Sequence, residues 1–204
     1  VPCRVTYDDN PKRKLKYTLE QVWMDDTWLM VHTGRPNTVV AEAIEAGVIS
    51  ELAGYDVLQR EKKYGSQNSR IDILLLKDGE LPPGSKETVV KGKKLRVATR
   101  AAYVEVKSVT LKEEGVGMFP DSVTKRGKKH LEELIEVVNA GQRGVLLFHV
   151  SREDCDAVQA AAHIDSEYAE TLKRAFDAGV EILAYRCSVR ADALVLGTKV
   201  RVIV

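Results

Sequence analysis

Asp72, Glu105 and Lys107 are charged residues set inside two of the most apolar runs of the chain. Asp72 interrupts Arg70-Ile71-Asp72-Ile73-Leu74-Leu75-Leu76, and Glu105 and Lys107 interrupt Ala102-Tyr103-Val104-Glu105-Val106-Lys107. Both runs read as β-strands. Side chains alternate along a strand, so Glu105 and Lys107 share a face while Val104 and Val106 point into the core. Charges in strands this apolar are costly unless paired or bound to a metal ion. An acid on one strand followed by Glu-x-Lys on the next suits magnesium-dependent phosphodiester hydrolysis: two carboxylates hold a hard cation and a lysine steadies the attacking water. The same residues also suit a buried structural ion pair between Asp72 and Lys107, and three residues alone do not separate the two readings.

The elements that position these residues follow from periodicity and turn chemistry. Residues 2–7 and 16–33 read as short strands, broken by turns at Asp8-Asp9-Asn10-Pro11 and Asp25-Asp26. Three short strands are too little to stand alone. A helix follows with Asn37 or Thr38 as N-cap, Val39, Val40, Ala43 and Ile44 on its buried face, and Gly47 at its end. Strands over about 55–64 and 70–77 form a hairpin through Gly65-Ser66-Gln67-Asn68. The segment 78–100 is rich in Gly, Pro and Lys, with a small hairpin expected from Glu87 to Val97 around Lys91-Gly92-Lys93. A long helix spans about Val123 to Ala140, with Val123, Gly127, Leu131, Leu134, Ile135 and Val138 on one face. Then come a buried strand from Gly144 to Val150, a helix over about 166–178, and strands over about 180–187 and 192–203. The order predicts a mixed α/β fold, a central sheet flanked by helices.

Composition narrows the function classes. With 204 residues, 44% of them apolar, the chain can build one good core or two small ones. No apolar run is long enough to span a bilayer. The three cysteines, Cys3, Cys155 and Cys187, are an odd number and far apart. That argues against a disulfide framework or zinc knuckle and for a reducing compartment, the cytoplasm. The chain opens Val1-Pro2-Cys3 without methionine and reads as part of a longer protein. At a net charge of +1, any nucleic-acid surface must be a local patch.

Such patches exist. The long helix carries Lys125, Arg126, Lys128, Lys129 and His130 in its first turns and Glu132, Glu133 and Glu136 later, against its own macrodipole. Pairs such as Lys128 with Glu132 and Lys129 with Glu133 offset part of the conflict. The rest favours a phosphate-binding helix start over a merely solvated face. Lys12, Arg13, Lys14 and Lys16 form a second cluster; Lys91, Lys93, Lys94 and Arg96 form a third. Three basic clusters in a near-neutral chain suit a polyanion. Few aromatics accompany them: Tyr17 and Tyr103 are the nearest, and both read as core residues. His130 suits a phosphate contact or a hydrogen-bonded structural role. His32, His149 and His163 have no metal-ligand spacing.

Several stretches together resemble the sugar fermentation stimulation protein A family. They are Asn10-Pro11-Lys12-Arg13-Lys14-Leu15, Ser69-Arg70-Ile71-Asp72, Tyr103-Val104-Glu105-Val106-Lys107, Phe119-Pro120-Asp121-Ser122-Val123-Thr124, Arg126-Gly127-Lys128-Lys129-His130-Leu131 and Ile164-Asp165. The resemblance implies an OB-like β domain, partial here and covering 1–33, followed by a PD-(D/E)xK nuclease-like α/β domain over 34–204. It implies DNA binding, to double strands and largely independent of sequence, with a regulatory role in sugar (maltose) metabolism; an active Mg2+- or Mn2+-dependent nuclease is the alternative. On that fold Asp72, Glu105 and the Val106 carbonyl would hold Mg2+ or Mn2+, and Lys107 would be catalytic. Lys125, Arg126, Lys128, Lys129, His130, Lys12, Arg13 and Lys14 would meet nucleic acid. A further carboxylate would come from the first helix, Glu42 ahead of Glu45.

Overall fold

The computed structural model describes residues 1–64, 69–90 and 93–204. The expected turns at Gly65–Asn68 and around Lys91-Gly92 therefore lie outside the described residues. The elements are β1 (Cys3–Tyr7), β2 (Tyr17–Met24), β3 (Thr27–Met30), α1 (Pro36–Glu45), a short 3-10 turn (Ser50–Leu52), β4 (Val57–Tyr64), β5 (Ser69–Leu76), β6 (Glu80–Leu81), β7 (Thr88–Val90), β8 (Lys93–Val97), β9 (Ala102–Val109), β10 (Leu111–Glu113), β11 (Val116–Phe119), α2 (Lys125–Asn139), β12 (Arg143–Val150), β13 (Ala157–Ala160), α3 (Ser166–Asp177), β14 (Glu181–Val189), β15 (Leu194–Lys199) and β16 (Arg201–Ile203).

Six strands build the central sheet in the order β15-β14-β12-β9-β5-β4. β9, β12 and β14 run parallel, and antiparallel hairpin partners close both edges. Both faces are covered, which is why these strands read as near-continuous apolar runs. Leu74, Leu76, Tyr103, Leu146 and Phe148 pack under α2 and α3 with Leu131, Leu134 and Tyr168. Ile73, Leu75, Val104, Val106, Val145 and Leu147 pack under α1 with Val39, Val40 and Met30. Glu105 and Lys107 therefore face the α2 side of the sheet, Glu105 buried and Lys107 half-buried.

β1, β2 and β3 form a separate three-stranded antiparallel sheet. Asp25 and Asp26 make its second turn, both with positive φ (53° and 58°), as a tight hairpin requires. This sheet is tied to the rest by Met30 in the α1-side core and by Gln21, whose amide donates to the Arg190 carbonyl at 2.7 Å. Arg152, only 2% exposed, reaches Asp25 at 2.9 Å.

Several boundaries differ from the sequence expectation. α1 starts at Pro36, with Arg35 at the cap position and no side-chain cap; proline at N1 supplies the start, and Asn37 is released for another role. α2 is capped by Thr124, whose hydroxyl accepts from the Gly127 N–H at 3.0 Å. Val123 thus lies outside the helix and is 69% exposed. Tyr17 is 65% exposed on β2 with its ring 5.2 Å from that of Tyr7, not a core residue, whereas Tyr103 is buried. The segment expected as one strand over 192–203 is two: buried Val200 separates β15, in the central sheet, from β16, in a four-stranded sheet ordered β10-β11-β13-β16. That second sheet was not legible, because its strands are three or four residues long, too short to show a period. Among the described residues, no helix is long and apolar enough to cross a membrane.

Candidate functional site

The site forms where β5 and β9 part. They pair through Leu75–Ala102, Leu74–Tyr103 and Ile73–Val104, and no further. The next partners in register would be Asp72 and Glu105. There the Asp72 carboxylate takes the place of the ladder: its Oδ2 accepts the Val106 N–H at 2.8 Å. On its other side, the β4–β5 ladder passes from Arg60–Ile73 to Lys62–Ile71, skipping Glu61 and Asp72. Glu61, exposed, takes a positive φ of 53°. Asp72 thus sits in a gap in the sheet, and its Oδ1 accepts the Asn37 side-chain amide at 2.7 Å. Burial and the neighbouring charge of Glu105 raise the Asp72 pKa, against the hydrogen bond from Val106 and the charge of Lys107.

Glu105 is 2% exposed. Its Oε1 receives the Lys107 ammonium at 2.7 Å and the His130 Nδ1, and Lys107 Nζ lies 3.2 Å from that same nitrogen. Burial pushes the Glu105 carboxyl up, but the His130 bond and the Lys107 charge prevail and hold it below the usual range. Lys107 keeps 13% of its side chain exposed and Asp72 is half-buried, so the cluster meets solvent along the Asp72–Lys107 edge. The simple Asp72–Lys107 ion pair does not form: the ammonium lies on Glu105, and Asp72 is held by two uncharged donors.

α2 aims its residues inward through Gly127. A Cβ there would come within 2.7 Å of Thr124 and 3.1 Å of the Tyr168 ring, so only glycine lets α2 approach α3. One turn on, His130 is buried against Glu105, with Arg126 Nε 3.4 Å from its other nitrogen. Both imidazole nitrogens are engaged within the fold, and His130 orients the Glu105 carboxylate. Glu133, expected to pair with Lys129 on the surface, is 1% exposed. Its Oε2 accepts from the Tyr64 hydroxyl at 3.4 Å and its Oε1 has no hydrogen-bond partner. Lys128 pairs with Glu167 of α3 at 2.8 Å rather than with Glu132, whose partner is Arg174 at 3.7 Å. The helix start is also engaged: Asp165, the cap of α3, accepts the Thr124 N–H at 2.8 Å. A buried acid therefore answers the macrodipole that the sequence left uncompensated.

The remaining expected residues lie apart from the cluster. Glu42 is exposed and lines a cavity of about 360 Å3 with Arg4, Glu20, Arg35 and Asp192. It stands five residues from Asn37, about 140° around the helix, so the first helix contributes an amide and not a carboxylate. Glu45 is exposed at the end of α1. Lys125 and Arg126 are exposed at the start of α2, and Lys129 is half-buried. Lys12, Arg13 and Lys14 are exposed in the β1–β2 connection, where Arg13 is paired with Asp8 at 2.9 Å.

Could these residues hold a cation? Among the described residues, no three His, Cys, Asp or Glu side chains surround one point, so the expected trio of Asp72, Glu105 and Glu42 is not assembled. Yet Glu105 Oε2 is buried with no hydrogen-bond partner. A buried carboxylate oxygen without a partner is expensive, and a hard cation is a ligand that suits it. Asp72 also retains lone pairs beyond its two hydrogen bonds. The donor set fits a divalent cation. In the sequence Asn37 and Glu133 each carry a sufficient local explanation, a cap and a surface pair; the one signal is an acid three residues after His130, on the same helix face.

The molecule is similar to known proteins across most of its length. Residues 34–193 match the family described as the sugar fermentation stimulation protein RE domain. The sugar fermentation stimulation protein homolog of Shewanella loihica is 53% identical over 186 residues, covering 91% of this chain and 71% of the relative. That of Shewanella sediminis is 54% identical over 185 residues, covering 87% and 71%. The structure of Pyrococcus furiosus SfsA in complex with Ca2+ shares the fold, with a TM-score of 0.80 at 24% identity, covering 98% of this chain and 77% of that one. The chain belongs to the sugar fermentation stimulation protein family.

Proposed function

We propose that this protein is a DNA-binding protein with a divalent-cation site at Asp72 and Glu105. On this reading residues 34–204 form a PD-(D/E)xK nuclease-like domain and residues 1–33 are part of an OB-like β domain. The DNA is double-stranded and read largely without regard to sequence, the cation is Mg2+ or Mn2+, and the protein works in the cytoplasm. A regulatory role in sugar (maltose) metabolism rests on family resemblance. One observation carries the proposal: β5 and β9 separate at Asp72 and Glu105, leaving a buried carboxylate oxygen with no partner beside a lysine. The Ca2+ in the archaeal relative's structure supports a cation here as well.

Asp72, Glu105 and the Val106 carbonyl would hold the cation, which when bound polarises a phosphoryl oxygen as a Lewis acid. The protein's own groups set the rest. Asn37 and the Val106 N–H fix the Asp72 carboxylate in one orientation. His130 does the same for Glu105. Lys107, at the solvent edge, places a positive charge where negative charge develops on phosphorus. Lys125 and Arg126 reach the flanking phosphates. Two carboxylates facing a polyanion repel it unless a cation intervenes, so a complete Asp72, Glu105 and Lys107 set favours retained hydrolysis over binding alone.

Plasmid DNA incubated with the protein, with and without Mg2+ or Mn2+, tests this. Metal-dependent cleavage lost in Asp72→Ala and Glu105→Ala supports the nuclease. Binding that weakens steeply with salt, without cleavage, supports the binding protein alone. Neither binding nor cleavage refutes the proposal.

A further inference from the structure

We propose that Glu133 is a reserve carboxylate of the divalent-cation site, held by Tyr64 until the cation enters. The inference rests on the cation-binding reading of Asp72 and Glu105 and adds a ligand that neither strand supplies.

Glu133 lies on α2 three residues after His130, so both side chains project from the same face of the helix, and His130 already touches Glu105. At 1% exposure it is among the most buried acids described. A carboxylate so placed ordinarily has a cationic partner or several donors. Glu133 shows one long hydrogen bond, 3.4 Å from the Tyr64 hydroxyl, and a second oxygen with no partner. Two further groups on this side of the sheet share that condition. Glu105 Oε2 and the Tyr168 hydroxyl are both buried without partners, and Tyr168 lies within the field of Glu105.

Tyr64 links Glu133 to the strand that carries Glu105. Its ring packs against Tyr103 with centroids 5.5 Å apart. Burial makes its proton harder to remove, and so do the charges of Glu105, Glu133 and Asp72. Of these three acids, Glu133 is the one that touches the hydroxyl. Glu133 turns toward that hydroxyl rather than meeting Glu105 and Asp72 at one point. A side-chain rotation releases it at the cost of one weak hydrogen bond. A divalent cation would meet the unpartnered oxygens of Glu105 and Glu133, and a third carboxylate completes an oxygen-rich shell.

Calorimetric titration of the full chain with Ca2+ tests the assignment, using wild type, Glu105→Gln, Glu133→Gln and Tyr64→Phe. Glu133→Gln keeps the shape and removes the charge. It should weaken Ca2+ binding tenfold or more and shrink the Ca2+-induced rise in melting temperature. Tyr64→Phe should bind Ca2+ at least as tightly as wild type, because the hydroxyl competes for Glu133. If Glu133→Gln does not fold, Glu133→Asp, which retracts the carboxylate by one methylene, should show the same loss. Loss of binding in Glu105→Gln with wild-type affinity in the Glu133 variant overturns this inference and leaves the underlying site intact. Absence of Ca2+ binding by the wild type refutes both.

Discussion

Replacing Lys107 by methionine tests the electrostatic logic of the site. Methionine keeps most of the apolar stem and removes the ammonium. Glu105, 2% exposed, would then keep only His130 as a partner. Removing one member of a buried ion pair costs about 3–5 kcal/mol, largely because the other charge stays buried. Lys107 sits at the solvent edge with 13% of its side chain exposed, which places the cost at the low end, about 3 kcal/mol. That is roughly two powers of ten in the folding equilibrium and a large share of the ~5–15 kcal/mol of a typical domain. Urea denaturation at neutral pH should show a lower midpoint with an unchanged slope. Adding Glu105→Gln should recover most of the loss, because no charge is then left unpaired. The ammonium also occupies Glu105 Oε1, so the variant should bind Ca2+ about tenfold more tightly. At 100-fold excess over its dissociation constant, Ca2+ restores about 2.7 kcal/mol. Cleavage, where the wild type shows it, should be lost, since on the proposed reading the cation cannot replace the positive charge that Lys107 would offer the reacting phosphoryl group. A variant within about 1 kcal/mol of wild type and with unchanged Ca2+ affinity would show that Lys107 does not hold the Glu105 charge, and the reasoning fails.

Asn37→Ala removes a 2.7 Å hydrogen bond to the Asp72 carboxylate, a kind worth about 1.5–3 kcal/mol; Ca2+ affinity should fall about tenfold by calorimetry, and no fall means that Asp72 needs no positioning. Arg152→Met removes the Asp25 and Asp154 ion pairs and the hydrogen bond to the Thr110 carbonyl, while Asp154 keeps Lys112 and Asp25 is solvated; the loss in urea should be about 1–2 kcal/mol, and no measurable change would deny Arg152 its role in fastening the first sheet. The bond from Arg152, acting against burial, lowers the Asp154 pKa from 3.8 to about 2. A depressed carboxyl stabilises the fold above its unfolded pKa and loses that contribution as pH falls from about 4 towards 2. Asp154→Asn should therefore lessen the loss of stability over that window, and an identical acid limb in both proteins contradicts this. Lys125→Ala with Arg126→Ala should reduce the slope of log K against log salt for duplex DNA by about one per lost phosphate contact, read by fluorescence anisotropy; an unchanged slope removes α2 from the DNA surface.

The sequence by itself determined the strands that carry the chemistry. The apolar runs around Asp72 and Glu105 read as buried strands, and the two-residue period put Glu105 and Lys107 on one face, as the parallel β9–β12 ladder does. The helical period likewise set α2 and its basic start, and the stretches around Asp72, Glu105 and His130 identified the family. Tertiary structure alone decided which neighbours complete the site. Asn37 looks like a cap until β5 arrives beneath α1, and Glu133 looks like a surface acid until α2 settles against Tyr64. Glu42, chosen from the correct helix, lies about 140° around it from Asn37. Likewise the start of α2 lacks an anion in the local sequence, and Asp165, distant along the chain, supplies one by accepting the N–H of its cap residue Thr124. The physical reason is one of range. Periodicity and capping are interactions between residues a few positions apart and are written in local sequence. The cost of burying a charge depends on every group that the fold brings near it, and most of those groups are far away along the chain.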